Sequence, residues 1–493
     1  MTLAADRPVR SLPRTLSYVI GSAVTAIGVS MLAIAALAYL LGEWGTGLGI
    51  VFAGLITTAC GFLMWRVFGS ATSLAVKEGF AAVGLAWFVI SAFGALPYLF
   101  TGTIPNVTDA FFETVSGFTT TGASVISNPG DLPQSIGIWR GFTQWVGGMG
   151  VIILSVAVLP LLGTGGLQLA RAELPGGKPD RLTPRFKETA KRLWFVYVGL
   201  TALTGILLTL GDLDVYQAVV HSMTTTAPGG FSTEARSLAS FSAYTQWVVA
   251  IFMFLSSVNF ALHYRALRGP SAYWRDSEFR LYAALIIVGI VLVAGGIWAD
   301  NVVTEAIRDP FFTGISLVTT TGFATADWGS WRPALQILVI GLMFLGGMAG
   351  STSGSVKTFR IGILAKAAFS DLRRLVYPRG VFTIRFGRDR VPDELLESIQ
   401  SFFLFYMFLF MSGTFLLTFI DANMSERLDL VTAASAVAAS LGNVGPGLAD
   451  VGPTSTYASI VWPGKWLLSG LMIVGRLEIF PVLLLFTRDL WRR

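Results

Sequence analysis

Thr319-Thr320-Thr321-Gly322-Phe323-Ala324-Thr325 is a glycine-centred polar run with three counterparts in the chain. These are Thr119-Thr120-Thr121-Gly122-Ala123-Ser124, Ala227-Pro228-Gly229-Gly230-Phe231-Ser232-Thr233 and Gly442-Asn443-Val444-Gly445-Pro446-Gly447. Aligned on Gly122, Gly230, Gly322 and Gly445, they mark four internal repeats. A short semi-apolar segment precedes each run, and a longer apolar one, ending near residues 101, 211, 299 and 420, precedes that segment. An aspartate stands 13 residues before the glycine in the first and third repeats (Asp109, Asp309) and 16 before it in the second and fourth (Asp214, Asp429). Aspartate caps helix N-termini, and proline, here Pro310, is accepted at a first helical position. Four short helices are therefore predicted, each starting at its aspartate and ending at its glycine run.

The surrounding composition sets the solvent. Of 493 residues, 53% are hydrophobic and 13% charged, a balance that belongs in a bilayer rather than in water. The 54 glycines and 14 tryptophans fit the same class, since helix packing in membranes favours small residues and headgroup interfaces favour Trp. Apolar segments able to cross ~30 Å of hydrocarbon run at 15–41, 47–65, 79–101, 138–163, 190–211, 239–262, 279–299, 333–349 with a continuation to 365, 398–420 and 457–487. That gives about ten spans. Lys and Arg crowd into the N-terminus, the stretches 171–192, 265–280 and 357–390, and the tail. The distribution predicts that both termini are cytoplasmic, with a strongly basic inner face and an acidic outer one. No cleavable leader is expected, because the basic N-terminus leads into a long apolar segment. One cysteine, Cys60, and two histidines, His221 and His263, exclude an internal disulfide and a cysteine- or histidine-rich metal centre.

Four short helices starting at the outer face would point their partially negative C-terminal ends inward, with glycine-rich backbone running on past them. Both features favour a cation. Irregular backbone at membrane depth is tolerated only where it is buried or lines a hydrated path. Four such segments in register thus predict pore loops around one conduit, the alternative being re-entrant turns with no ion role.

Further stretches are Gln144-Trp145-Val146-Gly147-Gly148-Met149-Gly150, Leu161-Leu162-Gly163-Thr164-Gly165-Gly166 with Arg171-Ala172-Glu173, the run from Gly346 to Lys357, and Gly475-Arg476-Leu477-Glu478-Ile479-Phe480. With the glycine runs, they make the chain resemble, over nearly its whole length, the Trk/Ktr/HKT superfamily of potassium transporters, specifically membrane subunits of the TrkH type. The resemblance implies an all-α polytopic membrane protein with four tandem span-pore helix-span repeats in a pseudo-fourfold arrangement, preceded by an extra helix pair. The boundaries would be 1–70 for the pair, then 71–189, 190–276, 277–396 and 397–493 for the repeats. It implies potassium coordination at Thr120, Thr121, Gly122, Gly229, Gly230, Thr320, Thr321, Gly322, Asn443, Val444 and Gly445. Four filter glycines imply potassium rather than sodium, and Pro228 before Gly229 is a mild departure. The resemblance also implies inner-membrane location, a homodimer with one pore per protomer, and a cytosolic nucleotide-binding regulatory subunit. The expected surroundings are the lipid bilayer, with potassium as substrate, no covalent cofactor and no nucleic acid.

Glycine and hydroxyl residues interrupt the third repeat's second span, where a helix would otherwise continue. By resemblance, Gly346, Gly347, Gly350, Ser351, Thr352, Ser353 and Gly354 form a gating loop below the filter; the alternative is a kinked helix. The run is no phosphate-binding loop, because Lys357 does not adjoin a motif glycine. Arg476 is a charge inside an apolar run, costly unless it faces a cavity or a partner. The resemblance makes it an electrostatic barrier in the path, against a structural ion pair with Glu478 or a neighbouring carboxylate. His221 is expected to be a hydrogen-bonded packing residue. Carboxylates inside the spans beyond Glu478 look nearly absent, which favours channel-like conduction over proton- or sodium-coupled symport. A membrane enzyme is disfavoured, since neither a His-Glu-x-x-His pair nor a carboxylate cluster occurs in a span.

Overall fold

Glycines at seven-residue intervals build the first helix pair. In the computed structural model, which describes residues 12–68, 76–158, 182–300, 307–387, 389–424 and 428–488, α1 (Leu12–Leu40) packs on α2 (Trp44–Phe68). A side-chain carbon added at Gly21 would lie 2.6 Å from the Trp65 amide nitrogen, and one at Gly61 would lie 2.5 Å from that of Thr25. The two backbones therefore touch, as favoured where lipid supplies no hydrophobic drive between helices. Phe52, Leu55 and Leu63 on α2 remain exposed, as a lipid-facing side requires. This pair belongs to a compact unit, Met1–Phe111 with Phe480–Arg493; the rest, Phe112–Ile479, forms a second.

The first unit continues with α3 (Val76–Gly94) and α4 (Leu96–Thr101). α5 (Val107–Phe118) is the first of the four short helices. Its counterparts, with the intervening elements, follow in chain order: α6 (Gln134–Val158), α7 (Leu182–Thr209), then short helix α8 (Val215–Thr226). Next are α9 (Ala243–Ser256), α10 (Phe260–Ala266), α11 (Ser271–Arg275), α12 (Ser277–Asp300) and short helix α13 (Arg308–Val318). α14 (Pro333–Met343), α15 (Thr358–Val376), a two-stranded ribbon pairing Arg385–Phe386 with Asp389–Arg390, α16 (Asp393–Ala422) and short helix α17 (Leu430–Gly442) come after. α18 (Trp462–Arg476) and α19 (Phe480–Leu485) close the chain.

Among the described residues, six helices are long and apolar enough to cross a bilayer, or seven if α9 and α10, bent by 101°, count as one. This is fewer than the continuous spans expected from hydropathy. The apolar segments expected at 239–262, 333–365 and 457–487 are not continuous helices but are interrupted at Ser257–Asn259, at Phe344–Lys357 and at Leu477–Ile479. Only the middle break was expected. The other two escape hydropathy because Val258, Leu477 and Ile479 are apolar and buried. What breaks the helices is local: Asn259 caps α10 through the amides of Ala261 (2.8 Å) and Leu262 (3.3 Å), while Glu478 and Ile479 take positive φ.

The expected caps are half right. Asp214 forms a reciprocal capping box with Gln217, and Asp429 accepts the Thr432 amide at 2.7 Å. Asp109 and Asp309 instead lie inside the first turn. In the first repeat Asn106 accepts the amides of Thr108 (2.8 Å) and Asp109 (3.3 Å). Asn106, Asp214 and Asp429 each stand 16 residues before their glycine, so one register governs three starts. Outside the spans, Asp212 fastens the start of α9, accepting from Ser242 N (2.8 Å), Ser242 Oγ (2.7 Å) and Thr245 Oγ1 (2.6 Å). Partial burial raises its proton affinity, but these hydrogen bonds outweigh it and hold the carboxyl below its ordinary value.

Candidate functional site

All four short helices end in the same way. The residue two before each aligned glycine has left-handed φ: Thr120 at 52°, Pro228 at 25°, Thr320 at 59° and Asn443 at 53°. The next amide donates to the carbonyl five residues back, Thr121 to Ser116 (2.8 Å), Gly229 to Thr224 (2.8 Å), Thr321 to Ser316 (3.0 Å) and Val444 to Ala439 (2.8 Å). This is the left-handed helix stop, and it delivers the chain into the glycine run at the negative end of the helix dipole. The glycines follow with φ of 86°, 75°, 79° and 100° at Gly122, Gly230, Gly322 and Gly445, a region costly for any residue with a side chain.

The four runs meet in a closed ring. A side-chain carbon built on Gly122 collides with the carbonyl oxygen of Gly229; built on Gly230 it meets that of Thr321, and on Gly322 that of Val444. Built on Gly445, it comes to 2.5 Å from that of Thr121. Each of these oxygens belongs to the residue just before the next run's glycine, so the contacts proceed from first to second, third, fourth and back to first. Thr120, Thr121, Thr320, Thr321, Asn443 and Val444 are all buried. Of the eleven positions singled out from sequence, eight make these contacts, and Thr120, Thr320 and Asn443 stand at the left-handed stops that lead into them. A depression on the side where the runs emerge is lined by Gly122, Gly230, Gly322, Pro446 and Tyr457.

Side chains outside the runs hold this backbone. Gln144 clamps the second run, donating to the Gly229 carbonyl at 2.6 Å and accepting the Phe231 amide at 3.2 Å. Asn443 joins the fourth run to the first through Thr121 Oγ1 (3.0 Å) and to α18 through the Met472 carbonyl (2.9 Å). Tyr457 donates its hydroxyl to the Gly445 carbonyl (2.8 Å) and its amide to that of Ser124 (2.9 Å). His221 is a packing residue as expected, with its ring nitrogens 2.9 Å from the Gln217 carbonyl and 3.2 Å from Ser232 Oγ. Glu113 corrects the expectation about carboxylates: it lies fully buried in α5, paired with Arg140 at 2.9 Å.

The interrupted segment between α14 and α15 packs against the inner ends of the short helices. It is a loop and not a kinked helix: no helix covers Phe344–Lys357, and Gly346 and Gly350 have φ of 91° and 73°. Thr352 donates to the carbonyls of Thr226 (3.3 Å) and Ser256 (3.0 Å), Ser353 to Ser257 Oγ (2.7 Å), and the Gly354 amide to Thr320 Oγ1 (2.8 Å). A side-chain carbon at Gly354 would strike the Gly442 carbonyl, and one at Gly347 would sit 2.7 Å from that of Ser257. Ser351 is buried and bonds the Met348 carbonyl at 2.6 Å. The second, third and fourth helix ends therefore all touch this loop.

Arg476 reaches the same loop. It donates to the carbonyls of Thr352 (2.7 Å) and Gly147 (3.4 Å), and Gly147 itself abuts the Phe118 carbonyl at the end of α5. Glu478 pairs with Arg360 instead, at 2.5 Å, so the Arg476–Glu478 pair is not formed. Lys357 turns back onto the Ser353 carbonyl. The sequence stretches Leu161–Gly166 and Arg171–Glu173 lie outside the described residues.

Comparison with known proteins finds matches over nearly the whole chain. The TrkH family model, described as a cation transport protein, matches residues 49–492. The Trk system potassium uptake protein TrkH of Escherichia coli K12 is 38% identical over 492 residues, covering 97% of this chain and 99% of that protein. TrkG of the same organism is 34% identical over 432 residues, covering 86% and 87%. The crystal structure of the potassium transporter TrkH from Vibrio parahaemolyticus superposes with a TM-score of 0.87 at 36% identity, over 97% of this chain and 99% of that one.

Proposed function

Since the chain belongs to the TrkH family, whose members are potassium transporters and not enzymes, we propose that it takes up potassium through a filter formed by its four glycine runs. The observation that carries this reading is the cyclic contact of each run's glycine with the carbonyl oxygen that precedes the glycine of the next. Backbone carbonyls held on a ring replace the hydration shell of a cation, and four helix ends of partial negative charge add to the attraction. Coordination falls to Thr120, Thr121, Gly122, Gly229, Gly230, Thr320, Thr321, Gly322, Asn443, Val444 and Gly445. The loop Gly346–Gly354 closes the path beneath, and Arg476, held by carbonyls rather than by a carboxylate, repels cations there.

Conduction is channel-like. The buried carboxylate Glu113 is committed to Arg140 and Glu478 to Arg360, which argues against either as a coupling-proton site. The four repeats, with the boundaries stated above, surround the pore in pseudo-fourfold fashion. The protein sits in the inner membrane with both termini cytoplasmic, forms a homodimer, and docks a cytosolic nucleotide-binding regulator on its basic face. Uptake of rubidium or potassium into proteoliposomes holding the purified full-length chain tests the substrate: unlabelled potassium should compete and sodium should not, and equal competition by sodium would refute potassium selectivity.

A further inference from the structure

The outer mouth of the ring is braced unequally. Glu113 accepts from Ser124 Oγ (3.0 Å) and from the Val125 amide (2.9 Å), both in the first run's outgoing strand. Arg140 on α6 donates to Glu113 through Nε (3.0 Å), with Nη2 2.9 Å from the same carboxylate oxygen as an ion-pair contact, and donates to the carbonyl of Ser232 in the second run through Nη1 (3.2 Å). Nη2 also lies 3.3 Å from Ser124 Oγ, and the guanidinium sits 4.2 Å over the Phe231 ring. Ser124 and Ser232 each stand two residues beyond a ring glycine, so this ion pair spans the first two runs where they leave the ring.

The matching positions of the other repeats do not carry an acid and a base. Nine residues before the ring glycines stand Glu113, His221, Thr313 and Ala436. At the seventh position of α6, α9, α14 and α18 stand Arg140, Val249, Val339 and Leu468, the last three fully buried apolar residues. At the other junctions the contacts are hydrogen bonds: Leu238 N to the Ala324 carbonyl (3.0 Å), Trp328 Nε1 to that of Gly447 (3.1 Å), Thr454 Oγ1 to the Asp327 carboxylate in an exposed position (3.2 Å), and Tyr457 from the fourth run to the first. A buried ion pair adds little net stability over an apolar pair of similar volume, because desolvation offsets the attraction. What it does supply is fixed geometry: a rigid planar fork with several donors in set directions.

We propose that Glu113 and Arg140 are positioning residues for ion discrimination, fixing the spacing of the first and second runs and hence of the Thr121 and Gly229 carbonyls. The inference rests on the filter reading above. The test is the ratio of potassium to sodium flux in proteoliposomes for wild type, E113Q, R140K and the double variant E113Q/R140Q, with thermal stability measured alongside. The double variant removes both charges, so neither is left buried alone, and its melting temperature separates a loss of discrimination from a loss of fold. Its glutamine at 140 is too short to bond residue 113 and Ser232 together. Discrimination should drop about tenfold in E113Q/R140Q, and R140K, which keeps the charge but loses the fork, should fall between it and wild type. Wild-type discrimination in the double variant would overturn the proposal. Absence of potassium preference in the wild-type protein would overturn the filter reading, and this inference with it.

Discussion

Replacing Gly322 with alanine probes the ring at its tightest contact. At φ of 79° a side chain costs about 1–2 kcal/mol, roughly a tenfold loss in population of the undisturbed ring. The new carbon would also strike the Val444 carbonyl oxygen and lie 2.8 Å from Pro446 Cδ. Ordinary carbon–oxygen contact can be restored only by moving that carbonyl, on the order of 1 Å, and we take as the upper bound the roughly 100-fold cost of a misplacement of that size at a reacting centre. Gly322→Ala should therefore lower potassium flux by between about 10-fold and 100-fold and weaken discrimination against sodium. Tracer flux into proteoliposomes measures both. Gly470→Ala, in the helix of the fourth repeat with nothing within 4 Å of the added carbon, is the control and should match wild type. Wild-type rate and discrimination in Gly322→Ala would refute the reasoning.

Arg476→Ala removes a buried charge held only by carbonyls; a unit charge at about 4 Å and effective dielectric of about 20 repels a passing cation by about 4 kcal/mol, so flux should rise at least about tenfold, and unchanged flux would dismiss its barrier role. Gly28→Leu forces a side chain onto the Thr58 backbone and should cost about 1–3 kcal/mol, seen as a lower melting temperature in detergent; an unchanged melting temperature would count against close packing of the first helix pair. The carboxyl of Asp212 is held below its ordinary value, so its contribution is complete above about pH 4 and is lost as pH falls through the folded-state value. Asp212→Asn should flatten the acid limb of the stability curve, and identical limbs would contradict that link.

The repeats were legible because the backbone demands glycine at them. A left-handed φ beside a neighbouring carbonyl admits no side chain, so Gly122, Gly230, Gly322 and Gly445 write the ring into the sequence at fixed spacing. The broken spans were less legible, since hydropathy records burial and not helicity: Val258 and Leu477 are as apolar in a break as in a helix. The cap at Asn106 was hidden behind Asp109, a stronger-looking candidate three residues on, although the 16-residue register shared with Asp214 and Asp429 pointed to it. Gln144 opened a stretch that was quoted for resemblance, yet its clamp on Gly229 depends on the fold bringing residues 85 positions apart together. Glu113 and Arg140 carried the plainest missed signal, ionisable residues inside apolar segments at Phe112-Glu113-Thr114 and Trp139-Arg140-Gly141, each costly alone.

Reversal potentials across a planar bilayer containing the Arg476→Ala protein, whose gate no longer repels cations, test the central claim most directly. With potassium on one side and sodium on the other, the account predicts a potential close to the potassium equilibrium value. A potential near zero would mean that the two ions pass alike, and the ring of four glycine runs would not be a potassium filter.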